Sequence, residues 1–168
     1  MSYLLRRTRK AAWVGETRSR EAAVQEFARS VADTDGLSLF EVESDADRAA
    51  VISATACERQ NTGRIDFIEI DREVLEKYGT VAKTPGHGTT PLASANALHC
   101  SLDWDDDALR QLAEYLFDNQ CVPKEINTAS VRANLQTLNI ADISDTEAQA
   151  FVRAEQARGK KSTPPSAR

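Results

Sequence analysis

Leu37-Ser-Leu-Phe-Glu-Val42 and Ile65-Asp-Phe-Ile-Glu-Ile70 are the two stretches of this 168-residue chain that decide its fold. Each has apolar residues on both faces of an extended strand, a pattern typical of strands that are covered on both sides. The segment between them carries an apolar helical stripe formed by Ala50, Val51, Ala54 and Cys57. The order strand, helix, strand predicts an α/β unit with parallel neighbouring strands.

The same periodicity extends the unit in both directions. Strands are predicted near residues 3–7, 37–42 and 65–70, with a fourth near 97–102. Together with the helices between them, these strands predict an α/β fold built on a small, mainly parallel sheet. An α+β arrangement with an antiparallel fourth strand is the alternative.

Composition divides the chain into three parts. Residues 1–103 form the predicted α/β core, which is interrupted over 80–95 by an irregular loop with two glycines and two prolines. Residues 104–158 show helical periodicity and are predicted to pack on that core. Residues 159–168 are predicted to be a disordered basic tail, because paired prolines and small or charged residues bury too little apolar surface to fold.

Charge is unevenly distributed along the chain. The formal net charge is −5, with basic residues concentrated at both ends and acids in the middle. The apolar content of 41% supports a packed core, while no apolar run approaches the roughly 20 residues that cross a bilayer. Three cysteines without a CxxC pair argue against a disulfide framework or a structural zinc site. These features predict a cytoplasmic protein without membrane association.

Acids at the ends of two predicted strands are candidate catalytic residues. Glu41 and Glu43 lie at or just after the end of the second strand, and Glu69 and Asp71 at or just after the end of the third. Parallel strands would bring these ends together. Magnesium prefers carboxylate oxygens, so these acids, with Asp66, suggest a metal-dependent phosphoryl-transfer enzyme or nuclease. The competing interpretation is that Asp71 caps a helix. The pattern alone predicts no cofactor and no defined metal site.

The two histidines, His87 and His99, are the other candidate catalytic residues. An imidazole titrates near neutral pH and can act as an acid, a base or a metal ligand. His99 and Cys100 are neighbours in a predicted strand, so they point to opposite faces and would not act together. A hydrogen bond that orders the adjacent loop is the alternative role for either histidine.

The basic N-terminus is a candidate contact with nucleic acid. Arg6, Arg7, Arg9 and Lys10 precede Trp13. In such an arrangement the cations neutralise phosphates while the indole stacks on a base. The acidic body would repel nucleic acid unless the two signs of charge are well separated in space.

The sequence contains no recognisable catalytic constellation, and its charge segregation and long loop favour a binding role. The main expectation is therefore a non-catalytic, acidic cytoplasmic protein that acts as an accessory subunit through a protein–protein interaction. A metal-dependent phosphoryl-transfer enzyme or nuclease is one alternative. A nucleic-acid-binding protein is the other. The sequence specifies neither the partner nor the oligomeric state.

Overall fold

The protein is organised around one antiparallel sheet. A computed structural model describes residues 3–7, 13, 19–25, 37–119, 121 and 123–161. Its strands are β1 (Tyr3–Arg7), β2 (Leu37–Val42), β3 (Ile65–Asp71), β4 (Thr80–Lys83), β5 (His99–Asp103) and β6 (Lys124–Ile126). The order across the sheet is β4-β5-β2-β1-β3-β6, and each neighbouring pair is antiparallel.

The prediction of a mainly parallel sheet is wrong. The sequence predicts β2 and β3 as neighbours, but β1 lies between them and pairs antiparallel with both. Tyr3 of β1 aligns with Val42 on one side and with Asp71 on the other. β2 and β3 therefore run in the same direction without contact. Apolar residues on both faces indicate that a strand is covered, but they do not indicate its neighbour or its direction.

Helices cover both faces of this sheet. They are α1 (Asp45–Arg59), α2 (Arg72–Leu75), α3 (Ala93–Asn96), α4 (Asp106–Asp118), α5 (Thr128–Thr137) and α6 (Thr146–Lys161), with a further helical segment at 20–25. Side-chain caps fix where the longer helices begin. Ser44 and Asp47 form a capping box at α1, and Asp105 and Asn127 cap α4 and α5. Each cap satisfies backbone amides that the first helical turn leaves free.

Strand alternation divides the core into two layers. Leu39 of β2 and Leu102 of β5 face α4 and the helical segment at 20–25, in a core that also contains Trp13. On the opposite face, residues of β2 and β3 pack against α1. α1 in turn packs against α5 and α6 through a second core. β2 and β3 therefore contribute buried side chains to both faces of the sheet.

The structure refines the predicted division of the chain. The helices of residues 104–158 lie on both faces of the sheet, because α4 belongs to one layer and α5 and α6 to the other. The segment 80–95 contains β4, α3 and a 3₁₀ turn at Pro85–His87, so it is not irregular throughout. α6 continues to Lys161, which makes the first residues of the predicted tail helical. Residues 162–168 lie outside the described part of the chain.

Candidate functional site

The acids predicted as metal ligands do not converge. Glu43 follows β2 and Asp71 is the last residue of β3, at the same end of the sheet, but the intervening β1 separates the two backbones by about 10 Å. Asp66 lies near the other end of β3, roughly 17 Å from Asp71 along the strand. The Asp71 carboxylate accepts a hydrogen bond from the Glu73 amide at 3.1 Å and caps α2. Among the described residues, no cluster of three His, Cys, Asp or Glu side chains could hold a metal ion.

His99 is buried and holds the chain that follows β4. Its Nδ1 lies 3.0 Å from the Thr84 hydroxyl and 3.1 Å from the Thr84 carbonyl oxygen. Because a carbonyl only accepts, Nδ1 carries the proton in the second of these contacts. Burial lowers the pKa of His99, which favours the neutral imidazole. His87 is exposed and lies in the 3₁₀ turn at Pro85–His87.

Cys100 lies on the opposite face of the sheet from His99, as strand alternation predicts. The His99 ring packs edge-on against Phe40, with 5.8 Å between ring centroids. Cys100 instead belongs to the core beside α4. Burial raises the pKa of the Cys100 thiol, which favours the neutral thiol over the nucleophilic thiolate.

The basic N-terminus is partly built into the fold. Arg6 and Arg7 belong to β1 and align with Ile68 and Phe67 of β3. Arg9 and Lys10 lie outside the described residues. Trp13 is 3% exposed and packs against an aromatic ring of α4, with 6.3 Å between centroids. A buried indole cannot stack on a base. Nucleic-acid binding therefore remains a prediction that rests on the basic residues alone.

Three largely buried carboxylates join elements of the fold, and two of them, Glu41 and Glu69, are among the acids at the ends of the predicted strands. Glu41, Glu69 and Glu155 have side chains that are 5 to 10% exposed. Each is paired with two cations: Glu41 with Arg72 and Lys83, Glu69 with Arg48 and Lys124, and Glu155 with Arg132 and Arg158. Two cations offset the cost of burying a carboxylate. The sequence signal was present, since Glu41 and Glu69 each interrupt an apolar strand.

Glu41 connects β2, α2 and β4. Its carboxylate accepts hydrogen bonds from Arg72 Nη1 at 2.7 Å and from Lys83 Nζ at 2.8 Å. The hydrogen bond from Lys83 is the main cause that lowers the pKa of Glu41, while burial acts in the opposite direction. The ionised form is therefore the one that stabilises this junction.

We expect Glu41→Gln to lower the free energy of unfolding by about 1–3 kcal/mol at pH 7, because two charge-assisted hydrogen bonds are weakened. Folding lowers the pKa of Glu41 below its ordinary value of 4.5. The ionised carboxylate therefore contributes its full stabilisation above pH 4.5, and this stabilisation is lost as the pH falls through the pKa of Glu41 in the folded protein. Urea unfolding at pH 7 and in acid measures the free energy of unfolding of the variant relative to that of the wild type. The exposed Glu73→Gln is the matched control. If Glu41→Gln lowered the free energy of unfolding by the same amount in acid as at pH 7, a role for the charge of Glu41 would be contradicted.

Three partly exposed aromatic side chains meet where β5 ends and β4 begins. Tyr78, Trp104 and Tyr115 form what we call the aromatic cluster. The Tyr78 ring lies 6.4 Å from the Trp104 ring and 6.0 Å from the Tyr115 ring, measured between centroids. All three pack against the core beside α4 and keep part of their surface exposed. Tyrosine and tryptophan are enriched where proteins bind one another.

Gly79 allows the Trp104 indole to lie directly on the backbone. A Cβ atom at Gly79 would lie 1.6 Å from Trp104 Nε1, so only glycine fits beneath the ring. Thr80 pairs with Asp103, which places Gly79 and Trp104 at the end of the ladder between β4 and β5. The cluster is thus built onto one end of β4.

Exposed acids lie beside the aromatic cluster. Asp105, Asp106 and Asp107 follow Trp104 directly and are exposed. Asp105 accepts a hydrogen bond from the Ala108 amide at 2.8 Å, and the other two lie in the first turn of α4. The helix dipole favours acids at these positions. We call these three residues the acidic rim.

β4 is one edge of the sheet, and three of its four residues are exposed. The Thr84 amide donates to the His99 carbonyl at 2.9 Å. Backbone groups in an antiparallel ladder alternate in direction, so those of Val81 and Lys83 point away from β5. No other described strand pairs with this side of β4.

A pocket of about 280 Å³ lies between the end of α1 and α6. Its lining includes Phe151, Glu155 and Arg158. The Glu155 charge is already compensated by Arg132 and Arg158, so these groups serve the contact between α5 and α6. The aromatic cluster and the β4 edge are therefore the stronger candidate site.

Comparisons of the chain with models of protein families, with curated proteins and with solved structures found no match. In the part of the chain that the structure describes, no helix has the length and apolarity needed to cross a membrane. The described cysteines, Cys57, Cys100 and Cys121, are free thiols.

Proposed function

We propose that this protein is a non-catalytic cytoplasmic accessory protein that binds a protein partner through the aromatic cluster. The observation that carries this proposal is the contact of Tyr78, Trp104 and Tyr115 at a partly exposed surface. Such side chains offer a large, stiff contact area, and they dominate the binding energy of many interfaces. Free cysteines support a reducing compartment.

The roles of the ionisable groups support binding rather than chemistry. His99 holds Thr84, and Asp71 caps α2. The buried carboxylates Glu41, Glu69 and Glu155 are each compensated by two cations. The three residues of the aromatic cluster, in contrast, are only partly buried, so they can contribute contact area to a partner.

Quantitative affinity capture from an extract of the source organism tests the proposal. We expect a specific protein bound by the wild type to be depleted about tenfold or more with the double variant Tyr78→Ser, Tyr115→Ser, as for hot-spot residues. Phe151→Ser is the matched control, because Phe151 is a partly exposed aromatic residue of the other core. Thermal unfolding establishes that each variant is folded.

Capture that is unchanged in the folded double variant would contradict the proposal. Equal loss in the double variant and in Phe151→Ser would contradict it too, because the effect would not then be specific to the aromatic cluster.

A further inference from the structure

We propose that the bound segment of the partner is an extended basic peptide that adds a strand to β4. This inference rests on the proposed function and names the chemistry of the partner at the same site. Main-chain hydrogen bonds supply affinity when a peptide joins a sheet edge, and its side chains supply specificity. Three features of the surface lead to this occupant: the direction of the β4 backbone groups, the aromatic cluster and the acidic rim.

The hydrogen bonding of the neighbouring strands fixes the direction of the β4 backbone. The Glu41 amide donates to the Leu98 carbonyl at 2.8 Å, so the backbone of Cys100, two residues later, also faces β2. Cys100 aligns with Lys83 in the ladder between β4 and β5. The backbone groups of Lys83 must then face outward, and those of Val81 follow the same alternation. Each of these two residues offers one N–H and one C=O group to an added strand.

The opposite edge of the sheet is less suited to strand addition. β6 has three residues and lies between Pro123 and Asn127, the cap of α5. Proline lacks an amide hydrogen and limits pairing before β6. The Lys124 side chain is also paired with Glu69 of β3. The aromatic cluster adjoins β4, so this edge combines backbone groups with a hydrophobic contact.

Charge complementarity selects a basic peptide. Asp106 and Asp107 are exposed, and no ion pair with another described residue involves either of them. At the other end of β4 the charge of Lys83 is compensated by Glu41. Lysine or arginine side chains of an added strand would therefore find opposite charge beside the aromatic cluster. Such pairing raises the association rate and disfavours acidic peptides.

Titration of the full chain with a labelled heptapeptide of alternating lysine and valine tests the charge. We expect this peptide to bind about tenfold or more tightly than the same peptide with glutamate in place of lysine. The double variant Asp106→Asn, Asp107→Asn should bind the lysine peptide several-fold more weakly. Asp142→Asn, an exposed acid near α5, is the matched control and should bind as the wild type does. No measurable binding of the lysine peptide, or equal binding of both peptides, would overturn the inference.

Backbone methylation of the same peptide tests the added strand. Methylation of the amides that face β4 keeps every side chain but removes the donors, and it should weaken binding about tenfold. Methylation of the alternate amides should weaken it far less. The peptide should also slow amide hydrogen exchange at Val81 and Lys83. Equal effects of both methylation patterns, with exchange unchanged, would overturn strand addition.

The two proposals fail in different ways. If the aromatic-cluster variant loses the captured partner but the partner leaves exchange at Val81 and Lys83 unchanged, strand addition is rejected and the proposed function stands. If capture does not depend on the cluster, the proposed function is rejected. A dimer that light scattering detects and that protects Val81 and Lys83 without peptide would overturn the inference, since a second copy would then occupy β4.

Discussion

Replacing Gly79 by alanine is expected to displace the Trp104 indole and to destabilise the protein by about 1–3 kcal/mol, the usual cost of overpacking. The new methyl group would lie 1.6 Å from Nε1 and 1.9 Å from Cδ1 of Trp104. Because the ring is partly exposed, it can relieve this clash by moving toward water. Tryptophan fluorescence should therefore shift to longer wavelength, and partner capture should fall as in the aromatic-cluster variant.

Gly86→Ala is the matched control for this substitution. A Cβ atom at Gly86 meets no atom within 4 Å, so both the spectrum and the stability should stay close to those of the wild type. The spectrum of Trp104→Phe separates the signal of Trp104 from that of Trp13. An unchanged spectrum and melting temperature in Gly79→Ala would contradict the close contact between the indole and the backbone.

Leu112→Ala and Leu135→Ala are each expected to lower the free energy of unfolding by about 2–5 kcal/mol, because each creates a cavity in a packed core. Both leucines are fully buried, but they lie on opposite sides of the sheet. Chemical unfolding monitored by tryptophan fluorescence and by circular dichroism measures both effects. Gln111→Ala, at an exposed position of α4, should change stability by less than about 0.5 kcal/mol.

The position of the tryptophans makes this pair of substitutions informative about the fold. Trp13 and Trp104 both contact the core that contains Leu112. If the two layers share one sheet, Leu135→Ala should shift the fluorescence transition together with the circular dichroism transition. A fluorescence transition that stays in place while the circular dichroism transition moves would show that the layers unfold separately.

Local features of the fold were predictable from the sequence. The strands over 37–42 and 65–70 were predictable because each has apolar residues on both faces. Helix α1 was predictable because an apolar helical stripe follows the capping residue Ser44. The position of β1 between β2 and β3 depends on pairing across distant parts of the chain, which periodicity does not encode. β4 was missed because four residues with one buried side chain are too short to show a pattern.

The candidate site was not predictable as a unit. Tyr78, Trp104 and Tyr115 come from three separated segments and become neighbours only through the β4–β5 ladder and the packing of α4. The metal-site hypothesis depended on parallel strand order, and the structure separates Glu43 from Asp71 by a whole strand. The competing interpretation of Asp71 relied on local chemistry and agrees with its hydrogen bond to the Glu73 amide.

Amide hydrogen exchange along β4 in the free protein measures most directly whether this edge can receive a partner. We expect slow exchange at Ala82 and Thr84, whose amides face β5, and fast exchange at Val81 and Lys83, whose amides face outward. Uniform protection of these four amides would contradict an open edge, and with it the docking of a partner strand beside the aromatic cluster.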